Sequence, residues 1–127
     1  MNTQKQVEKS GIRLMTLVHN HLTDILKREK GNDKFIHLYS TGAYWVAFEQ
    51  SACQLNRLYP RCDFFLFQVK GRPDHVVMTS ICQEDASSYF QKHIVHRNEP
   101  DYKMLMTTQL PAGEFHRWHI RAVREVL

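Results

Sequence analysis

Apolar residues in the first quarter of the chain recur every three or four positions, which is the period of an α-helix. Polar and charged residues fill the positions between them, and Gly31-Asn32 follows as a helix-ending signal. The pattern therefore predicts one amphipathic helix over about residues 4–29. The positions that recur at this spacing are Val7, Gly11, Leu14, Met15, Val18, Leu22, Ile25 and Leu26.

Five shorter segments have the alternating or continuous apolar pattern of β-strands. They lie at about residues 34–39, 43–47, 62–69, 75–81 and 102–108. Gly42 separates the first two segments, which predicts a tight turn between neighbouring strands. The turn-forming stretch 71–74 separates the third and fourth segments, so these two are expected to form a hairpin.

Three further segments, at about residues 49–59, 83–94 and 114–126, return to the helical period. Pro60 ends the first of them, because proline lacks the main-chain N–H that a helix needs. The order of helices and strands predicts an α/β (mixed α+β) fold, in which a mixed β-sheet is flanked by helices. The length of 127 residues suits a single domain over 1–127.

Charge and cysteine content narrow the class of protein. The net charge of +4 and the pI of about 9.1 favour anionic partners such as nucleic acid, although an ordinary soluble domain can carry the same charge. Three cysteines without a CxxC pair indicate a reducing compartment. No apolar run approaches the ~18 residues of a membrane span, and the first ten residues contain no apolar run of the kind found in a signal peptide. We therefore expect a cytoplasmic protein with no membrane partner.

Two motifs resemble one known family. Gly42, Tyr44, Trp45, Phe48 and Ala52 are in register with the signature of the mismatch-recognition domain of the DNA mismatch repair protein MutS, which runs Gly-Asp-Phe-Tyr-Glu-x-Phe before an Ala that opens a helix. Further along, Met78 through Cys82 with Tyr89 is similar to the family's Met-Ala-Gly-Ile-Pro, followed by Tyr eleven positions after the Met. The resemblance covers about residues 33–110. It implies the fold of the N-terminal domain (domain I) of MutS, with an additional helix at each end.

The resemblance also implies how DNA would be contacted. The aromatic residue that wedges beside a mispaired base in the family falls on Tyr44, and Trp45 follows it. The acid that hydrogen-bonds the base falls on Val46, which cannot form such a bond, and the family's Asp falls on Ala43. The chain contains no GxxxxGK[ST] phosphate loop, so no ATP-driven step is expected within it.

The last helix carries a stripe of cations. Arg117, Arg121 and Arg124 are spaced four and three residues apart, so they share one helix face. Such a stripe can contact a phosphate backbone, or it can be the solvated face of an amphipathic helix. Strand alternation leaves a similar choice for Tyr44 and Trp45, because one of two successive strand residues faces the core. These five residues form the predicted DNA-binding site.

The sequence therefore predicts a DNA-binding module for duplex DNA, preferring mismatched or distorted sites, as in DNA repair. We expect no enzymatic activity and no cofactor, because no GxSxG, HExxH or paired-acid motif occurs. We expect no metal, because the histidines do not have the spacing of a zinc site. The alternative is a protein-interaction module that kept the fold and lost DNA recognition. It would pair with itself or with a partner through the N-terminal helix.

Overall fold

The computed structural model describes residues 3–127, with side chains described from Lys9 onward, so Val7 of the predicted apolar stripe lies outside the described side chains. The helices are α1 (Thr3–Glu29), α2 (Glu49–Leu58), α3 (Gln83–Lys92) and α4 (Glu114–Val126). The strands are β1 (Phe35–Ser40), β2 (Tyr44–Phe48), β3 (Asp63–Phe67), β4 (Val76–Cys82), β5 (Val95–Asn98) and β6 (Tyr102–Met106). The predicted class, an α/β fold with helices flanking one sheet, is confirmed.

Strand β5 is the element that the sequence pattern did not predict. Its residues Val-His-Arg-Asn show no apolar alternation, and all but Val95 are exposed. It pairs with β6 at the edge of the sheet, where Val95 lies opposite Leu105 and a bulge shifts the register before Arg97. An edge strand of this kind is held by its neighbour's main chain, so its own side chains carry little signal.

The strand order is β3-β4-β2-β1-β6-β5, and each of the five pairings is antiparallel. The expectation of a sheet with mixed strand directions was therefore wrong. A strand that follows a crossover helix lies parallel to the strand before that helix when the two are neighbours. Here the neighbour of β2 is β4, the second strand of the β3–β4 hairpin, and β3 lies at the edge of the sheet. Because β4 runs opposite to β3, its pairing with β2 is antiparallel.

The chain after α1 repeats one arrangement three times: two strands form a hairpin, and a helix follows. Helices α2, α3 and α4 contribute Leu55, Ala86 and Trp118 to an apolar core on one face of the sheet. Helix α1 alone covers the opposite face, where Leu22 and Ile25 join a second core. The two faces are called the three-helix face and the α1 face below.

Alternation along β2 divides its side chains between these faces. Trp45 and Ala47 belong to the core of the three-helix face, whereas Val46 and Phe48 belong to the core of the α1 face. Tyr44 shares the side of Val46, so it lies on the α1 face. This assignment decides which charged residues can act together with Tyr44.

A buried carboxylate joins α1 to the rest of the fold. Glu29 Oε1 accepts a hydrogen bond from the main-chain N of Ser51 at 2.8 Å, and Oε2 accepts one from Ser51 Oγ at 2.6 Å. Asn32 Nδ2 donates to Glu29 Oε1 at 3.1 Å, and the main-chain N of His37 donates to Ser51 Oγ at 2.9 Å. Glu29, although it belongs to α1, thus caps the first turn of α2. The helix dipole favours negative charge at this end of a helix.

A second buried polar contact holds α4 against the sheet. Glu49 has a φ of 51°, an uncommon value for a residue with a side chain. Its Oε2 lies 3.2 Å from His119 Nε2 and 3.4 Å from the main-chain N of Val77. The hydrogen bond to Glu49 raises the pKa of His119 above its usual value. The contact therefore links the start of α2 to both α4 and β4.

Replacing Thr79 by valine is expected to stabilise the protein. Thr79 is fully buried, and its Oγ1 has no hydrogen-bond partner among the described residues. Valine keeps the branched shape and removes the unpaired hydroxyl, so we expect the free energy of unfolding to rise by about 1 kcal/mol in urea titrations. Thr41→Val is the matched control, because Thr41 is buried but donates its Oγ1 hydrogen to Tyr44 O at 3.3 Å. This variant loses a hydrogen bond, so its free energy of unfolding should fall by about 1 kcal/mol. Stabilisation by both changes would contradict this reasoning.

The stability of the protein is expected to depend on the ionisation of Glu29. Burial raises the pKa of Glu29 from 4.5 to about 7, against the opposing effect of the hydrogen bonds from Ser51 and Asn32. The folded state then holds a proton that the unfolded state has released, so this residue's contribution falls as the pH rises from about 4.5 to 7. Relative to wild type, Glu29→Gln should gain about 3 kcal/mol over that interval.

The measurement for Glu29 compares unfolding free energies of variant and wild type at each pH. The difference is needed because His37 acts in the opposite direction: burial, and then the charge of Arg28, lower the pKa of His37 to about 4. A folded state that excludes this proton becomes more stable as the pH rises from about 4 to 6.5. Glu125→Gln, at an exposed position on α4, serves as control. A pH-independent difference for Glu29→Gln would refute the assignment.

Candidate nucleic-acid interface

The turn between β1 and β2 is held in a defined shape. The main-chain N of Thr41 donates to the O of Tyr44 at 2.9 Å, which closes the turn. Gly42 has a φ of +97°, and a Cβ at this position would lie 3.0 Å from Arg13 Nη1. The main-chain N of Ala43 donates to Ser10 Oγ of α1 at 2.8 Å. The turn therefore needs glycine, and α1 fixes its tip.

Tyr44 stands at the first position of β2, directly after this tip, and is partly exposed. It lines a recess of about 530 Å³ between the turn, α1 and the start of α3. Lys9 and Arg13 line the same recess from α1. Arg13 also forms an exposed ion pair with Asp101, with 3.5 Å between Nη2 and Oδ1. The recess that Tyr44 borders is therefore also lined by two cations.

Acidic residues lie on the other side of Tyr44. Glu84, near the start of α3, lines the recess that contains Lys9 and Arg13. Asp63 and Asp85 line a neighbouring recess that Tyr44 also borders. The surroundings of the ring are thus cationic towards α1 and acidic towards β3 and α3. A bound polyanion would have to approach along α1.

Trp45 is not available for contact with DNA. Its side chain is 3% exposed and lies in the core of the three-helix face. The ring of Phe90 meets it edge-on, with centroids 5.6 Å apart, and Lys103 Nζ lies 5.4 Å from the Trp45 ring centroid. The prediction that Trp45 contacts DNA was therefore wrong, because its side chain is buried. Strand alternation turns this residue inward when Tyr44 is directed to the α1 face.

The predicted arginine stripe is exposed but lies on the face of the sheet opposite to Tyr44. Arg117, Arg121 and Arg124 are all exposed on α4. Two of them share one acid: Arg117 Nη2 lies 3.1 Å and Arg121 Nη2 3.7 Å from carboxylate oxygens of Glu114. Helix α4 packs on the three-helix face, so the stripe and Tyr44 occupy opposite faces of the sheet. They do not form one site.

The cations that do accompany Tyr44 were not selected from the sequence. Lys9 and Arg13 are four residues apart in the polar part of α1, which is the spacing of neighbours on one helix surface. That spacing was a usable signal. What the pattern could not show is which side of α1 borders the Gly42 turn, because this depends on how the helix lies across the sheet.

The thiols of Cys53 and Cys62 are wholly or partly buried. Burial raises the pKa of the Cys53 thiol to about 12 and that of Cys62 to about 11, so neither is disposed to act as a nucleophile. Among residues whose side chains the structure describes, no three His, Cys, Asp or Glu side chains are grouped to hold a metal ion. Within the same range, none of the helices has the length and apolar character needed to cross a membrane.

No protein-family model matches the chain, and no curated protein or solved structure shows significant similarity to it. The resemblance to the recognition domain of MutS therefore stays a prediction that rests on the two sequence motifs.

Proposed function

We propose that this protein is a DNA-binding module that contacts duplex DNA through the turn at Gly42, with a preference for mismatched or distorted sites. The observation that carries the proposal is the partly exposed ring of Tyr44 at a braced turn, beside Lys9 and Arg13 of α1. In this proposal the ring contacts bases, and the cations contact the adjacent phosphates.

The stability of the turn favours stacking by Tyr44. The main chain at Ala43 and Tyr44 is already held by hydrogen bonds to Ser10 and Thr41. Little main-chain conformational entropy is therefore lost when the ring of Tyr44 binds. Stacking of a base on an aromatic ring contributes about 1–3 kcal/mol. Mispaired and distorted steps are easier to unstack than regular duplex, so a ring inserted at a base step favours them.

Lys9 and Arg13 suit the role of phosphate contacts. Both are exposed and lie on the face that carries Tyr44. Arg13 pairs only with exposed Asp101 among the described residues, and exposed ion pairs contribute little to stability. A phosphate can therefore take the place of that carboxylate at small cost. The α4 arginines, on the opposite face, are not part of this proposed contact.

The proposed preference for distorted sites has a limited source. Val46, which stands where the family has its hydrogen-bonding acid, is buried beneath α1. No side chain at this position can read the edge of a base. Discrimination then comes from stacking and from the deformability of the duplex, and we expect a mismatched duplex to bind roughly tenfold more tightly than a matched one.

Replacing Tyr44 by alanine is expected to weaken binding to a mismatched duplex by about tenfold or more, because the stacking energy of one base is lost. Tyr44→Phe keeps the ring and should retain most of the affinity. The measurement is fluorescence anisotropy with a labelled mismatched duplex and its matched counterpart at two salt concentrations. The triple variant R117Q/R121Q/R124Q removes the cations of the opposite face and should bind as the wild type does.

Two results would contradict the Tyr44 proposal. The first is a wild-type protein that shows no salt-dependent binding to either duplex. The second is an affinity that is lost in the α4 triple variant and kept in Tyr44→Ala. That pattern would assign the DNA contact to the arginine stripe instead.

A second candidate function, protein interaction through α1, is favoured by two exposed apolar side chains. Ile12 is 66% and Met15 73% exposed, and the two are three residues apart on α1. Neighbouring exposed apolar residues on a helix can be buried together by a partner, which is favourable because apolar surface is removed from water. In this proposal α1 pairs with a second copy of the chain through these residues, while Leu22 and Ile25 stay against the sheet.

Charge at these positions is expected to prevent self-association. The variant I12E/M15E should sediment and scatter light as a monomer of about 15 kDa, whereas a self-associating wild type would show twice that mass. Ile120→Glu, at an exposed position on α4, is the matched control. Removing residues 1–30 is a poorer test, because it also deletes Leu22 and Ile25 of the core. A wild-type mass equal to one chain at high concentration would exclude this candidate.

A further inference from the structure

A basic groove runs beside the C-terminal half of α1, on the α1 face. One wall carries Lys27 of α1 and Lys30 directly after this helix, and the other carries Lys70 and Arg72 from the segment that joins β3 to β4. The groove has a volume of about 620 Å³, and no acidic residue is among the side chains that line it. One carboxylate, that of Asp74, lines an adjoining recess together with Lys70 and Arg72.

Both walls of this groove are anchored. Helix α1 is held there by Leu22 and Ile25, which are buried in the core of the α1 face. The other wall turns back on itself at Gly71, which has a φ of +87°, and the main-chain N of Arg72 donates to Val69 O at 3.0 Å. The cations of the two walls are therefore brought together by the tertiary structure.

The positive charge of the groove is not explained by local helix energetics. Cations near the end of α1 are favoured by the helix dipole, which accounts for Lys27 and Lys30. It does not account for Lys70 and Arg72, which belong to another segment. None of these four cations takes part in an ion pair with a side chain that the structure describes. Their mutual repulsion is relieved when an anion enters the groove.

The groove and Tyr44 lie on the same face at different points along α1. Fourteen residues separate Arg13 from Lys27, which in an α-helix corresponds to about 21 Å. Duplex DNA carries one phosphate per strand for about each 3.4 Å of its axis, so this length corresponds to about six base pairs. A duplex lying along α1 can therefore reach both positions at once.

We propose that the groove lined by Lys27, Lys30, Lys70 and Arg72 binds the phosphate backbone of nucleic acid. The inference rests on the proposed DNA-binding function and extends its contact surface along α1. Four cations on two walls suit an anion with several phosphates, such as a nucleic-acid backbone, better than a single small anion. His19 and Gln68 add hydrogen-bonding groups to the lining. The groove contacts the backbone, which leaves the reading of distortion to Tyr44.

The experiment compares two triple variants of equal charge loss. K27Q/K70Q/R72Q removes cations from both walls of the groove, and R117Q/R121Q/R124Q removes as many from the opposite face. Affinity for a duplex of about 20 base pairs is measured by anisotropy between about 50 and 200 mM salt, a range over which phosphate contacts dominate the change. We expect the groove variant to bind about tenfold or more weakly, with a salt slope that is smaller in magnitude by about 2–3.

The outcomes separate this inference from the proposed function. If the wild type binds and Tyr44→Ala weakens it while the groove variant keeps the wild-type slope, the inference is overturned and the proposed function stands. If the groove variant loses slope while Tyr44→Ala binds normally, the groove is supported and the role of Tyr44 fails. Equal loss in both triple variants indicates diffuse charge and overturns the inference.

A last arm of the experiment tests another source of phosphate. If the wild type binds no DNA but binds vesicles containing phosphatidylserine, and the groove variant does not, the groove belongs to a lipid surface and the nucleic-acid assignment is wrong. Thermal unfolding followed by circular dichroism checks that each variant is folded. All three groove substitutions are at exposed positions, so we expect unfolding temperatures close to that of the wild type.

Discussion

The hydrogen bonds between Glu29 and Ser51 fix the C-terminal end of α1 against α2, and every candidate contact on the α1 face depends on where α1 lies. They join the last turn of α1 to the first turn of α2 through a carboxylate that is shielded from water. Burial makes the charged form of this carboxylate unfavourable, and the donors around it make it tolerable. The buried contact thus fixes the end of the helix, and its contribution to stability is expected to depend on pH.

That position divides the molecule into two unlike surfaces. The face covered by α2, α3 and α4 is closed by a large apolar core, and its cations on α4 are partly compensated by Glu114. The face covered by α1 alone has recesses at two points along the helix, at the Gly42 turn and at the β3–β4 connection. A single helix cannot cover a sheet of six strands, so binding surfaces are available on the side that has only one.

Local patterns predicted most of the elements, because each is encoded by the spacing of neighbouring residues. The bounds of α4 and the turn at Gly42 follow from helical period and glycine conformation in this way. Edge strand β5 was missed, since its main chain is ordered by β6 and its side chains are mostly exposed. The direction of the pairing between β2 and β4 was also missed, because it depends on which strand of a distant hairpin lies inward.

The sequence by itself determined the elements, the glycine in the β1–β2 turn and the presence of an aromatic pair directly after it. It also determined that Tyr44 and Trp45 face opposite ways, because successive strand residues must. Only the tertiary structure decided that Trp45 is the buried member, and that Lys9 and Arg13 are the cations beside Tyr44. The physical reason is that the direction of a side chain along a strand is set locally. Its burial and its neighbours depend on how helices that are distant in the sequence pack against the sheet.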